Sequence, residues 1–222
     1  IYYTNDFGQT WYESSFTNMP YDSTGMSGGG GDPVFAYDSN GKLYFVWIDL
    51  YASGYMDFLM GTAYMGIFWA YSNDNGATWT QPTHDTILLG EMQMQMGQPS
   101  AVNSPISDKE WLAVDRTGGQ YNDNLYISYV TIDQDATSAS YQIKCKTKPA
   151  GVDEFTTEAD VTDTANFPFV QFGSVTVDNN GGVHVFFYGT QDQSTMALYH
   201  SVSNDGGASF STPNKISNVK LD

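Results

Sequence analysis

Cysteine occurs once in the 222 residues, at Cys145, so no disulfide can close within the chain and zinc clusters built on several thiolates are excluded. Arginine also occurs once, at Arg116. Eight basic residues stand against 25 acidic ones, a formal net charge of −17. Such a surface repels the phosphates of nucleic acid and the anionic face of a membrane, so neither is an expected partner. Apolar runs are short: a stretch such as 43-LYFVWI-48 cannot cross a bilayer, and no membrane insertion is expected. Helical periodicity is nowhere sustained. The chain opens on 1-IYYTNDFGQTW-11, without a basic segment leading into an apolar one, and it looks like the middle of a repeat. We read it as a segment of a longer protein whose secretion signal lies outside it.

What the chain has in quantity is aromatic residues, 15% of the total, and glycine, 22 residues. Both are distributed periodically. Three stretches, 4-TNDFGQTW-11, 72-SNDNGATW-79 and 203-SNDGGASF-210, share the pattern Ser/Thr-x-Asp-x-Gly-x-x-aromatic. Sixty-eight residues separate Asp6 from Asp74 and 131 separate Asp74 from Asp205, so one copy is missing midway. Its place is taken by 148-KPAGVDEF-155, a degenerate copy that keeps the final aromatic. A second repeated element is an apolar run ending in Asp, a Gly/Asn-rich turn and another apolar run, centred on Asp38, Asp115 and Asp178, which reads as a β-hairpin. In 43-LYFVWI-48 both alternating sets are apolar, the pattern of a strand buried on both faces. A repeat of roughly 65 residues built from such strands predicts an all-β fold, a β-propeller of four-stranded antiparallel blades. The expected blades are 32–82, 108–160 and 170–222, with 1–16 as the outer strands of a further one. Residues 17–31, which include the glycine run 28–31, and 83–107 are expected to be loops between blades. The segment would be a partial propeller of about three and a half blades, whose open edges the remainder of a longer chain or a docking protein must cover.

The three turns resemble Asp-boxes, the repeats of bacterial neuraminidases and related propellers, and the hairpins 32-DPVFAYDSNGKLYF-45 and 108-DKEWLAVDRTGG-119 resemble those of secreted sialidase-like bacterial proteins. The resemblance implies that each box joins the two outer strands of a blade and is structural. The residues concerned are Thr4, Asp6, Gly8 and Trp11, then Ser72, Asp74, Gly76 and Trp79, then Ser203, Asp205, Gly207 and Phe210. It also implies a secreted or cell-surface location. A sialidase site needs three arginines to clamp the substrate carboxylate, and Arg116 alone cannot build that triad.

The expected function is therefore non-catalytic recognition or scaffolding in a bacterial extracellular protein, with a glycan as candidate ligand. One alternative is a glycoside hydrolase whose catalytic residues lie outside this segment, and another is a structural component of an extracellular assembly. No catalytic residue is assigned. Carboxylates at strand starts and ends, Asp32, Asp49, Asp108, Glu110 and Asp133, form with Arg116 the candidate ligand face, and the aromatic stretch 51-YASGYMDFLMGTAY-64 offers rings that could stack on sugars. No cofactor is required. Calcium is admitted near Asp123, Asp133 and Asp135, since it takes carboxylate and carbonyl oxygens. The run 92-MQMQM-96 offers soft thioethers for copper(I), yet equally reads as a strand or connection with one apolar face. His84, His184 and His200 are scattered along the chain and give a zinc site little support.

Overall fold

A computed structural model of the chain describes residues 1–16, 25–134 and 138–219. Its strands form four separate antiparallel sheets. Strands β1 (Tyr2–Tyr3) and β2 (Tyr12–Glu13) make a small two-stranded sheet closed by the first Asp-box. A five-stranded sheet follows in sequence order, β3 (Met26–Tyr37), β4 (Leu43–Ala52), β5 (Thr62–Ser72), β6 (Thr86–Gln95) and β7 (Gln98–Ser104). A short helix, α1 (Tyr55–Met60), links β4 to β5. The third sheet runs β8 (Ile106–Val114), β9 (Leu125–Gln134), β10 (Ala139–Lys148) and β11 (Thr157–Asp160). The fourth runs β12 (Phe169–Val177), β13 (Val183–Thr190), β14 (Ala197–Ser203) and β15 (Asn214–Asn218). Every connection inside a sheet joins neighbouring strands, so each sheet is a simple meander.

Two of the expected loops are partly strand. The segment 83–107 supplies β6 and β7, and the glycine run at 28–31 lies inside β3. The reason for the first is alternation: Met92 and Met94 turn inward against Ala52, Ala63 and Leu50, while Gln93 and Gln95 point outward, which is the period of a half-buried strand. Met92 and Met94 are therefore core residues rather than metal ligands. The reason for the second is close approach, because a Cβ at Gly28 would sit 3.1 Å from Leu50 and 3.2 Å from Phe58. Residues 17–24 of the expected first loop lie outside the described residues.

The sheets pack face to face. Leu125, Ile127 and Tyr129 of β9 meet Tyr44, Val46 and Trp69 of the five-stranded sheet. On the opposite face, Tyr126 and Val130 of the same strand join Ile143 and Cys145 against Val175, Val185 and Phe187 of the fourth sheet. Six consecutive residues, 125–130, are thus buried, as are 43–48 in β4. The second face of β4 packs Phe45 and Trp47 against Phe16 and Trp79. Each such aromatic or branched side chain contributes about 1.5–3 kcal/mol when fully buried, so stability here comes from the layers between sheets.

The Asp-boxes are built alike. Ser72 Oγ donates to Asp74 Oδ1 at 2.7 Å and accepts the Gly76 amide at 2.8 Å, while the Thr78 amide and hydroxyl donate to the two Asp74 oxygens. The boxes at 4–11 and 203–210 repeat the network. Two consecutive residues take the left-handed conformation in each: Phe7 and Gly8, Asn75 and Gly76, Gly206 and Gly207. These bonds to the charged form hold the Asp6 and Asp74 carboxyls below the usual range, and Ser209 with Ser203 holds Asp205 at about 2. The aromatics differ in use. Trp11 is exposed and donates to Gly8 in its own turn, Trp79 Nε1 donates to Ser14, the residue after β2, at 2.8 Å, and Phe210 packs on the core of the fourth sheet. In the degenerate copy, Phe155 packs edge-on against Trp69 of the preceding sheet, and Lys148 is buried with its ammonium 5.5 Å from the Tyr44 and Trp69 rings.

Candidate functional site

The first strands of the three large sheets lie against one another, and each carries the same irregularity. Register slips between Gly31 and Val34 in β3, between Asp108 and Trp111 in β8, and between Gln171 and Ser174 in β12. At each slip a non-glycine residue adopts a left-handed conformation: Asp32 at φ 48°, Lys109 at φ 57° and Phe172 at φ 57°. Left-handed backbone costs an ordinary side chain about 1–2 kcal/mol, and bulges of this kind re-aim side chains. Three equivalent outliers, one on the first strand of each large sheet, make these bulges a built feature of the repeat rather than an accident of packing.

The bulges open a cleft of about 580 Å³ between the sheets, lined by Asp32, Lys109, Glu110, Trp111, Phe172 and Tyr188, among others. Trp111, Phe172 and Tyr188 are 50%, 56% and 39% exposed, large values for aromatic residues beside a cleft. Phe172 and Tyr188 pack edge to face with centroids 6.4 Å apart. Lys109 Nζ bridges the sheets, 3.1 Å from Asp32 Oδ2 and 3.5 Å from Asp108 Oδ1, and the hydrogen bond to Asp32 raises its pKa. Glu110 is buried and neither carboxylate oxygen has a hydrogen-bond partner. Burial pushes its pKa up to about 8, with smaller upward contributions from Asp32 and Asp108. At neutral pH the group is a neutral acid with a proton to donate. A second, apolar hollow adjoins the cleft and shares Asp32, with Asp108, Met65, Met92 and Met94 in its wall.

The candidate ligand face is thus divided. Asp32, Asp108 and Glu110 converge on the cleft and its neighbouring hollow. Asp49 is buried on β4 and accepts the Ser27 hydroxyl at 2.7 Å, with its pKa raised by burial. Asp133 is exposed toward the end of β9, paired in register with Ser140. Arg116 lies beyond the opposite end of β8, in a hollow shared with Thr117, Asp178 and Asn179. The five residues from Trp111 to Arg116 are roughly 17 Å of extended strand. In the stretch 51–64, Tyr55 is exposed and Tyr51 is half-buried, and neither lines the cleft. The cleft's aromatic residues come instead from the bulge of β12 (Phe172), from the residue after the β8 bulge (Trp111) and from Tyr188 on β13, paired with Gln171 beside the β12 bulge. Of the residues considered for calcium, Asp123 already accepts hydrogen bonds from Ser39, Asn40 and Asn122, Asp133 is exposed, and Asp135 lies outside the described residues. Among the described residues no group of three or more His, Cys, Asp and Glu side chains is placed to hold a metal.

Two histidines far apart in sequence meet on the outer face of the fourth sheet. His184 Nδ1 lies 2.8 Å from His200 Nε2, and His184 Nε2 lies 3.1 Å from Asp178 Oδ2. The His200 pKa is lowered, first by burial and then by His184. Their common face follows from the pairing of β13 with β14.

A family model described as BNR/Asp-box repeat matches residues 2–13. No curated protein matches the sequence. Among solved structures, a protein of unknown function from Dyadobacter fermentans aligns over 93% of this chain and 55% of its own, at 16% identity and a TM-score of 0.59. A Hadza microbial sialidase aligns over 86% of this chain and 38% of its own, at 10% identity and a TM-score of 0.51. Trypanosoma rangeli sialidase in complex with sialic acid aligns over 82% and 30%, at 13% identity and 0.49. The chain spans about half or less of the length of each. Its Asp-box turns and its antiparallel sheets are those of an Asp-box, sialidase-like β fold.

Proposed function

We propose that this Asp-box fold is part of a secreted or cell-surface β-propeller, its three large sheets being blades, and that the cleft between their first strands binds a carbohydrate without hydrolysing it. The observation that carries the reading is the convergence of three exposed aromatic residues, Trp111, Phe172 and Tyr188, with Asp32, Lys109 and Glu110 in a single cleft. Aromatic faces stack on the C–H faces of sugar rings, and flanking polar groups fix hydroxyls by hydrogen bonds. Charge selects the ligand class. Lys109 is engaged by Asp32, the surroundings are acidic and Arg116 is at the far end of the strand, so an anionic sugar finds no free guanidinium. A neutral or amino sugar fits better. The remainder of a longer chain, or a docking protein, would cover the open sheet edges.

The test is an array of neutral, amino and sialylated oligosaccharides probed with the protein and with its Trp111→Ala and Phe172→Ala variants. Binding to neutral or amino sugars, weakened at least tenfold by either substitution, is the expected result. Absence of signal for all three glycan classes, or signal indifferent to both substitutions, refutes the reading.

One observation favours a second reading, glycoside hydrolysis with Glu110 as proton donor: a buried carboxyl held near pH 8 is suited to general-acid work. Release of aryl alcohol from aryl glycosides, abolished in Glu110→Gln, would replace recognition with catalysis.

A further inference from the structure

The first hairpin of each large sheet turns on an aspartate, and the three differ in one atom. Asp38 Oδ1 accepts the Asn40 and Lys42 amides, and Oδ2 accepts the Tyr44 hydroxyl at 3.4 Å. Asp178 repeats this with the Asn180 and Gly182 amides, and its Oδ2 lies 3.1 Å from His184 Nε2. Asp115 Oδ1 accepts the Thr117 amide and hydroxyl, but its Oδ2 is buried with no hydrogen-bond partner, and so is the hydroxyl of Tyr126, which stands where Tyr44 and His184 stand in the other two hairpins. The difference coincides with an insertion. Ten residue steps separate Asp115 from Leu125, against five from Asp38 to Leu43 and five from Asp178 to Val183.

The inserted loop encloses a polar pocket of about 190 Å³ against the fourth sheet. Gly119, Gln120 and Tyr121 form one wall, and Asn180, Gly181 and Asn204 the other. Asp115 lines this space, its Oδ2 3.5 Å from where a Cβ on Gly181 would stand. A buried carboxylate oxygen left unpaired is costly to the fold, and no Lys or Arg lines the pocket. Carboxamide and main-chain oxygens around a single carboxylate are the donor set of a hard cation.

We infer that Asp115 Oδ2 and the amide-lined pocket between the 115–124 loop and the Asn180–Gly182 turn form a calcium site that ties the third sheet to the fourth. A single carboxylate places its affinity with the weak extracellular calcium modules, at about 10⁻⁴–10⁻³ M. The site is independent of the sugar cleft, which lies at the other end of β8 and β12.

Thermal unfolding in chloride salts matched for ionic strength tests it. At 10 mM calcium the melting temperature should rise by about 3–6 °C over sodium or magnesium, as follows from that affinity and a chain of this size. Terbium should bind with luminescence sensitised by Tyr121, and calcium should displace it. Asp115→Asn, which keeps an acceptor for the Thr117 amide, should lose both responses. Asn180→Ala, which removes an exposed wall residue without touching the turn bonds, should weaken terbium binding severalfold even if the first variant folds poorly. Asp133→Asn should behave as wild type, separating a site from screening of the net charge of −17. No calcium-specific rise in the wild type, or an undiminished rise in Asp115→Asn, overturns the site and points to a buried water in its place.

Discussion

The Asp-box turns and the bulges of the large sheets treat their carboxylates in opposite ways. In the turns, Asp74 and Asp205 are exposed yet saturated with short local hydrogen bonds, which keep them ionised. At the bulges, Glu110 is buried without a partner and is held neutral. Saturation by neighbours a few residues away makes a rigid, self-contained fastening that needs no ligand. An unsatisfied acid in an aromatic cleft is a cost the fold carries, and unsatisfied polar groups of that kind concentrate where something binds.

The strongest way to break this comparison is through Glu110. Its folded pKa of about 8 lies above the ordinary 4.5, so the folded state holds a proton that the unfolded chain releases between those values. Stability should therefore be undiminished below about pH 4.5, fall as pH rises to about 8 and level off above, a total of order 4 kcal/mol. Glu110→Gln has nothing to ionise. Urea unfolding at a series of pH values should show the variant gaining on wild type across that window and no further beyond it. Parallel curves would mean that Glu110 finds a partner in solution, and the contrast between turns and bulges would disappear.

A smaller effect sharpens the comparison among the Asp-box turns. Gly207 has φ 83°, and a Cβ there would meet Thr147 Oγ1 and approach Tyr126 at 3.1 Å. Gly8 has φ 85° with only Trp11 nearby, at 3.8 Å. Gly207→Ala combines backbone strain with overpacking and should cost about 2–4 kcal/mol. Gly8→Ala carries the strain alone, about 1 kcal/mol. Denaturant midpoints of the two variants measure the difference. Equal costs would show that the boxes act only through their own backbone and not as contacts between neighbouring sheets.

What was legible in the sequence followed from spacing. The two-faced burial of 43–48 was visible because both alternating sets are apolar, and the box aspartates because their neighbours recur at fixed offsets. The strands β6 and β7 were harder to see, since glutamines and Pro99 interrupt the apolar pattern and only pairing in the sheet reveals its alternation. The bulges were half legible: Asp32, Lys109 and Phe172 each lie six residues before a hairpin aspartate, Asp38, Asp115 and Asp178, so the repeat aligns them, but they share no chemistry that would mark a bulge. That spacing sets Asp32 against Lys109 rather than Asp108, as the register slips do. Glu110, set beside Lys109 and Asp108, looks like a solvated charge until the packing of β3 on β8 encloses it. The meeting of His184 and His200 likewise needs the register of β13 on β14.

The smallest expected effect concerns the charge of the boxes themselves. Asp205 is held at about 2, first by the Ser209 hydroxyl and then by Ser203. A carboxyl whose folded pKa is depressed contributes stability above its ordinary value of 3.8, and that contribution is lost as pH falls through about 2. The carboxylate is largely in water, so screening reduces the effect to well under 1 kcal/mol. Asp205→Asn keeps the acceptor for the Ser209 amide and the Ser203 hydroxyl, and removes the charge together with the oxygen that accepts the Ser209 hydroxyl. Its melting temperature should lie about 1–2 °C below wild type at pH 7, with the gap closing near pH 2. A gap that persists unchanged as pH falls to 2 would assign the fastening to the shape of the turn, since the wild-type carboxylate is by then about half protonated.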